Sequence, residues 1–150
     1  MSLYAMNHTY GLVSLIRAAD RVYVIGNGGS YANSFHLVND LLSCGVKAYT
    51  IDPATLSAFA NDFGWENAIA RWIRTVGMPQ DLLIAMSGSG RSKNILNAVF
   101  AAQSIGMSLC RIFGNERGED MQAAEEAQLI IGHELRACLQ HTNSLASPRS

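Results

Sequence analysis

The sequence predicts an α/β fold with a five-stranded parallel sheet, doubly wound in the flavodoxin-like manner with helices on both faces. Short apolar runs rich in β-branched residues alternate with stretches whose apolar residues recur at helical spacing, which is typical of βαβ units. The runs are nearly continuous in apolar residues, as expected for strands that are buried on both faces. With 49% hydrophobic residues in 150, the chain can form the core of one domain.

The first half of the chain predicts two strands and four helices. The helices are the stretches with apolar residues on one side, and the strands are the short β-branched runs between them. In chain order these are a helix over Tyr10–Ala19, a strand over Arg21–Ile25, a helix over Tyr31–Leu42, a strand over Val46–Ile51, a short helix over Ala54–Phe59 and a helix over Trp65–Val76. Gly45 is a suitable C-cap for the helix before it. Pro53 ends the second strand, and Asn61–Gly64 predicts a turn.

The second half predicts three more strands and two more helices. In chain order these are a strand over Leu82–Met86, a helix over Lys93–Ile105, a strand over Ser108–Phe113, a loop over Gly114–Arg117, a helix over Gly118–Ala127 and a strand over Gln128–Ile131. We expect one domain over residues 1–150, with an N-terminal helix in 1–20, a core in 21–131 and a short C-terminal segment in 132–150. Because Thr142–Ser150 is small and polar, the end of that segment is expected to fray.

Charge and cysteine content limit the function classes. The formal net charge is −1 and no polybasic run occurs, which argues against nucleic acid or a membrane surface as a partner. No apolar run approaches the roughly 20 residues of a membrane span, and the first residues lack a signal-peptide pattern. Cys44, Cys110 and Cys138 are odd in number and far apart, as expected for reduced thiols in a cytoplasmic protein.

Two loops rich in glycine and serine, Gly26–Ser30 and Ser87–Ser92, each join a strand to a helix. In a parallel sheet they come to the same edge. Glycine allows the backbone to approach a ligand, and the free N–H groups of a first helical turn favour an anion. Neither loop has the glycine spacing of a dinucleotide-binding site or the Lys-Ser/Thr ending of a P-loop. Asp52 is only a weak match for the acidic residue that binds the ribose in dinucleotide-binding sites. The simpler alternative is a pair of tight turns with N-caps, but two such loops at equivalent positions favour a phosphate site.

Together with Asn61–Gly64, these loops resemble the motifs of the sugar isomerase (SIS) domain family, and most of all those of phosphoheptose isomerases. The resemblance covers roughly residues 21–131. It implies a sugar-phosphate ligand, a homo-oligomer (dimer or tetramer) and an aldose–ketose interconversion of sedoheptulose 7-phosphate. By the same resemblance, the residues that bind the substrate and its phosphate are Asn27, Gly28, Ser30, Asn61, Asp62, Ser87, Gly88, Ser89 and Ser92.

The resemblance also implies catalytic residues, with departures from the family's pattern. The family has a His and a Glu four residues apart on the helix after the first loop, and here His36 and Asp40 share one helical face. One interpretation is that the two residues bind a metal such as zinc. A second is that Asp40 is the catalytic base, and a third is that they form an ordinary surface pair. The family's C-terminal helix supplies a Gln and, eight residues later, a His. Gln140 matches the Gln as a metal ligand, but Pro148 replaces the His.

A shifted alignment places His141, eight residues after His133, in the catalytic position; otherwise His141 is a surface residue. Asp40 is one methylene shorter than the family's Glu, and Pro148 stands where the family has its C-terminal His. The catalytic set is therefore incomplete against the family's pattern. The alternative function is therefore a catalytically impaired sugar-phosphate-binding module, or a regulatory or adaptor protein.

Overall fold

A computed structural model of the chain describes residues 3–113 and 121–146. In this part of the chain the fold is a four-stranded parallel sheet in the order β2–β1–β3–β4. The strands are β1 (Val22–Ile25), β2 (Ala48–Tyr49), β3 (Leu82–Ser87) and β4 (Ser108–Phe113). The helices are α1 (Leu3–Ala18), α2 (Gly28–Ser43), α3 (Pro53–Phe63), α4 (Trp65–Val76), α5 (Lys93–Ile105) and α6 (Met121–Ala146).

The sheet has a helical layer on each face, because successive side chains of a strand point to opposite sides. In β1, Val22 and Val24 pack with α1, α2 and α6. Tyr23 and Ile25 of the same strand pack with α4 and α5. Every residue of β1 and β3 is buried, as the continuous apolar runs predicted. The parallel sheet with helices on both faces is therefore confirmed.

The fifth predicted strand, Gln128–Ile131, is wrong: these residues lie inside helix α6. A run of three apolar residues, Leu129–Ile131, does not by itself distinguish a strand from a helix. Here the flanking Ala, Glu, Gln and Leu residues are strong helix formers and carry the helix through the run. Burial follows the helical period, since Gln128, Leu135 and Leu139 are buried while Ile130 is exposed.

Other boundaries differ from the predictions near the edges of the fold. Strand β2 has only two residues, and Asn61–Phe63 continue helix α3 instead of forming a turn. Helix α6 runs through Ala146, past the point at which fraying was expected to begin. The predicted loop Gly114–Arg117 and the end of the chain from 147 lie outside the described residues. No helix in the described ranges combines the length and apolarity needed to cross a membrane.

Candidate functional site: two loops and the seam between α2 and α6

The two glycine- and serine-rich loops lie side by side, because they leave adjacent strands in the same direction. Strands β1 and β3 pair from Val22 with Leu82 to Ile25 with Ala85. The side chains of Asn27 and Asn94 then join the loops by two reciprocal amide hydrogen bonds, with N···O distances of 2.8 and 2.7 Å. The first loop is thus tied to the start of α5, which follows the second loop.

The second loop is closed by its own hydroxyl groups. Ser87 Oγ accepts a hydrogen bond from the Gly90 N–H at 3.0 Å, and Ser89 Oγ accepts one from the Arg91 N–H at 3.1 Å. Gly90 has a φ of 66°, which favours glycine at this turn. Ser92 is the N-cap residue of α5, and its side chain makes no capping bond. All three hydroxyl groups therefore keep a proton that can be donated to an anion.

The first loop begins helix α2 and is tied to α6. Gly28 has a φ of 54°, and Asn27 is the N-cap residue without a side-chain capping bond. The buried Ser30 accepts a hydrogen bond from Gln128 Nε2 at 3.0 Å. Gln128 Oε1 in turn accepts from Asn33 Nδ2 at 3.0 Å. The side chain of Gln128 therefore connects α6 to the first turns of α2.

The first turns of α6 lie against both loops. A Cβ atom on Gly88 would overlap the end of the Met121 side chain, and one on Gly29 would overlap the carboxylate of Glu125. Both glycines thus allow α6 to approach closely. The Glu125 carboxylate stands beside the first turn of α2, where unpaired N–H groups stabilise negative charge. A negative charge at this position would repel an anion bound at the adjacent loops.

Three residues that can bind a metal ion come together between α2 and α6: His36, Asp40 and His133. His36 and Asp40 face the same side of α2, and Asp40 Oδ2 lies 3.4 Å from His36 Nε2. The Nε2 atoms of His36 and His133 are 2.9 Å apart, which is within hydrogen-bonding distance. One possible ligand atom from each residue lies within 4.8 Å of the others.

The Asp40 carboxylate is almost fully buried, with 1% of the residue exposed. Its Oδ1 accepts a hydrogen bond from Arg136 Nη1 at 2.9 Å, while Oδ2 has no hydrogen-bond partner. A buried carboxylate oxygen without a partner is costly. Two imidazole nitrogens beside such an oxygen are ligands that suit zinc, so the donor atoms present fit a divalent metal.

The other predicted site residues lie away from this group. Gln140 and His141 are exposed on α6, seven and eight residues after His133, which corresponds to about 10–12 Å along the helix axis. Asn61 and Asp62 are exposed at the end of α3, where Asn61 Nδ2 donates to Asp62 Oδ1 at 3.1 Å. The roles of these four residues stay predictions.

Asp52 is a helix cap. Its carboxylate accepts hydrogen bonds from the N–H and the hydroxyl group of Thr55, at 2.9 and 2.6 Å, and these bonds lower the pKa of Asp52. The nearby Tyr31 hydroxyl donates to the carbonyl oxygen of Ile51 at 2.6 Å. Burial, and then the charge of Asp52, raise the pKa of Tyr31. Asp52 thus has a structural partner that accounts for its position.

Sequence reasoning did not assign four residues that the structure places at these sites: Asn94, Gln128, His133 and Arg136. His133 was considered only for its distance from His141. One signal was available, because His133 and Arg136 are three residues apart and so share a helical face. The pairing of that face with α2 has no local signal in the sequence.

The comparisons with known proteins agree with the fold. A family model described as the SIS domain matches residues 10–114. The chain belongs to the SIS domain family. This SIS-domain chain is 35% identical over 118 residues to a phosphoheptose isomerase from Akkermansia muciniphila, a match that covers 73% of the chain and 62% of that protein. The chain therefore spans about three fifths of that relative's length.

A second relative is matched over more of its length. The SIS-domain chain is 30% identical over 145 residues to a phosphoheptose isomerase from Alkalilimnicola ehrlichii, covering 90% of the chain and 74% of that protein. Among solved structures, a phosphoheptose isomerase from Neisseria gonorrhoeae superposes with a TM-score of 0.80 at 21% identity, over 93% of this chain and 86% of that one. At that identity the superposition establishes the fold.

Proposed function

We propose that this SIS domain is a sugar-phosphate isomerase of the phosphoheptose isomerase type, which converts sedoheptulose 7-phosphate into D-glycero-D-manno-heptose 7-phosphate. The observation that carries the proposal is the layout of helix α2. The helix begins at Gly28 in the first loop and presents His36 about 12 Å further along its axis. That separation is comparable with the length of an extended seven-carbon sugar phosphate.

The phosphate end of the substrate is assigned to the two loops. Ser87, Ser89 and Ser92 would donate hydroxyl protons to the phosphate oxygens, and the N–H groups at the start of α5 add further donors. Asn27, Gly28 and Ser30 would line the sugar from the first loop. All these groups are neutral, so they would bind the phosphate through hydrogen bonds and not through a positive charge.

The isomerisation itself is a proton transfer between adjacent carbons. A base takes the proton from the hydroxyl-bearing carbon next to the carbonyl, which gives an enediolate. An acid returns a proton to the former carbonyl carbon, and the hydroxyl proton moves from the first oxygen to the second. We assign Asp40 and His36 to this end of the site, with His141 retained as a candidate acid. A divalent metal such as zinc, bound by His36, Asp40 and His133, would act as a Lewis acid toward the substrate oxygens.

The test is conversion of sedoheptulose 7-phosphate by the purified chain with zinc, followed by NMR in D2O. We expect the aldose product to appear and solvent deuterium to enter at the carbon that exchanges its proton. Binding in calorimetry without conversion or exchange would contradict the isomerase and leave a binding module. Absence of both binding and conversion would contradict the sugar-phosphate site as well.

The second candidate is a sugar-phosphate-binding module without catalysis, with a regulatory or adaptor role. The contacts of Met121 with Gly88 and of Glu125 with Gly29 favour it, because α6 lies where the substrate would meet the loops. Under either proposal, the single domain over residues 1–150, the homo-oligomeric state and the cytoplasmic location stay predictions.

A further inference from the structure

The two oxygens of the Asp40 carboxylate have different surroundings. Oδ1 accepts the hydrogen bond from Arg136, whereas Oδ2 is buried without a hydrogen-bond partner and lies 3.4 Å from His36 Nε2. The carboxylate is therefore held at one oxygen and left open at the other. The open oxygen is the one that faces the imidazoles.

Arg136 reaches this carboxylate from the same face of α6 as His133. The two residues are three apart in the helix, which places them about one turn from each other on one side. Across the seam, His36 and Asp40 stand one turn apart on α2. Each helix thus supplies one imidazole and one charged residue, and the Arg136–Asp40 ion pair joins the two helices.

The geometry of the ion pair limits how Asp40 can turn. The Arg136 side chain is 45% exposed, while that of Asp40 is 1% exposed, so the guanidinium reaches the buried carboxylate from the surface and contacts Oδ1. A planar guanidinium fixes a carboxylate more firmly than the point charge of a lysine does. With Oδ1 held, rotation of the carboxylate would remove Oδ2 from the imidazoles and break the bond to Arg136.

We propose that Arg136 is the positioning residue of the His36–Asp40–His133 group, and that it holds Asp40 so that Oδ2 alone is offered to a divalent metal. This inference rests on the metal group named in the proposed function. Partners that orient a metal-binding side chain in this way change metal affinity by about 10- to 100-fold when they are removed. The alternative is a purely structural ion pair between α2 and α6.

The test is the zinc affinity of the purified full chain, measured in competition with a chromogenic chelator. We expect Arg136→Gln to weaken zinc binding by about 10- to 100-fold and Arg136→Lys to give an intermediate loss. Arg17→Gln is the matched control, because Arg17 also donates to α6, at the hydroxyl of Thr142, and forms no ion pair with a carboxylate among the described residues. It should leave zinc affinity unchanged.

A second readout separates positioning from a structural role. With saturating Co²⁺ in place of zinc, the visible absorption bands report the geometry of the ligands. Arg136→Gln should change these bands if Asp40 has turned, whereas loss of a purely structural ion pair would lower the melting temperature and leave them as they are. Unchanged bands together with wild-type zinc affinity would overturn the proposal.

Other outcomes are also decisive. Tighter zinc binding by Arg136→Gln would overturn the proposal, because Arg136 would then compete with the metal for Asp40. If Arg136→Gln does not fold, Arg136→Lys decides by the same criteria. If the wild-type chain binds no zinc, both the metal group and the role of Arg136 are overturned. Sugar-phosphate binding, measured with a chelator present, then tests the loops independently.

Discussion

The loop edge and the seam between α2 and α6 differ in how their polar groups are satisfied. At the loop edge the groups are neutral and bond to one another, as in the reciprocal amides of Asn27 and Asn94. At the seam a buried carboxylate has one ion-paired oxygen and one oxygen without a hydrogen-bond partner. The amides at the loop edge thus satisfy one another, whereas the seam has a carboxylate oxygen that a cation would satisfy.

This difference determines which ligand each region can accept. Neutral hydroxyl and N–H donors can turn toward an anion at little cost, because each gives up only a weak internal bond. A buried carboxylate beside two imidazoles is stabilised by a metal ion. The two ends of the proposed substrate site therefore have complementary chemistry, and changes at each end should have separable effects.

The largest expected effect is at the seam. Asp40→Asn keeps the size of the side chain but removes its charge, so zinc binding should be lost and turnover should fall by about 10²- to 10⁴-fold. Affinity for sedoheptulose 7-phosphate, measured by calorimetry, should change little because the loops are intact. Asp20→Asn, at an exposed carboxylate just before β1, is the control and should behave as wild type. Retained turnover in Asp40→Asn would exclude Asp40 as base or ligand.

A smaller effect is expected at the loop edge. The double variant Ser87→Ala plus Ser89→Ala removes two donors to the phosphate, each worth about 1.5–3 kcal/mol when bonded to a charged group. The dissociation constant for sedoheptulose 7-phosphate should rise by at least about 100-fold, while zinc affinity stays unchanged. Ser104→Ala, on the exposed face of α5, serves as the control. Unaltered sugar-phosphate affinity in the double variant would place the phosphate elsewhere.

The smallest effect is expected where α6 lies against the first loop. Glu125→Ala removes a negative charge beside the start of α2, and a charge at a helix terminus is worth about 0.3–1 kcal/mol. Sugar-phosphate affinity should therefore rise by roughly two- to fivefold in calorimetry at low salt. Glu126→Ala is the matched control, because Glu126 is exposed and its carboxylate accepts a hydrogen bond from Gln122. Weaker binding in Glu125→Ala would mean that Glu125 helps to bind the sugar and does not repel the phosphate.

The sequence predicted the sheet and the loop edge because their signals are local. The β-branched run before Gly26 and the apolar run before Ser87 each indicate a buried strand, and the glycines and serines that follow indicate a turn into a helix. Parallel pairing then requires both loops to meet at one edge. The wrong strand at Gln128–Ile131 has the same origin, since a run of three apolar residues gives a local signal too weak to distinguish a strand from a helix.

By itself, the sequence determined the parallel sheet, the two loops on neighbouring strands and the His36–Asp40 pair, whose spacing fixes a shared helical face. Only the tertiary structure decided what stands opposite that pair. His133 and Arg136 come from a helix that is 97 and 96 residues away along the chain from their partners. No periodic pattern in the sequence links residues that are so far apart. The contact depends on how the buried faces of α2 and α6 pack together over the sheet. The leucines of these two faces lie in one core: Leu37, Leu41, Leu135 and Leu139.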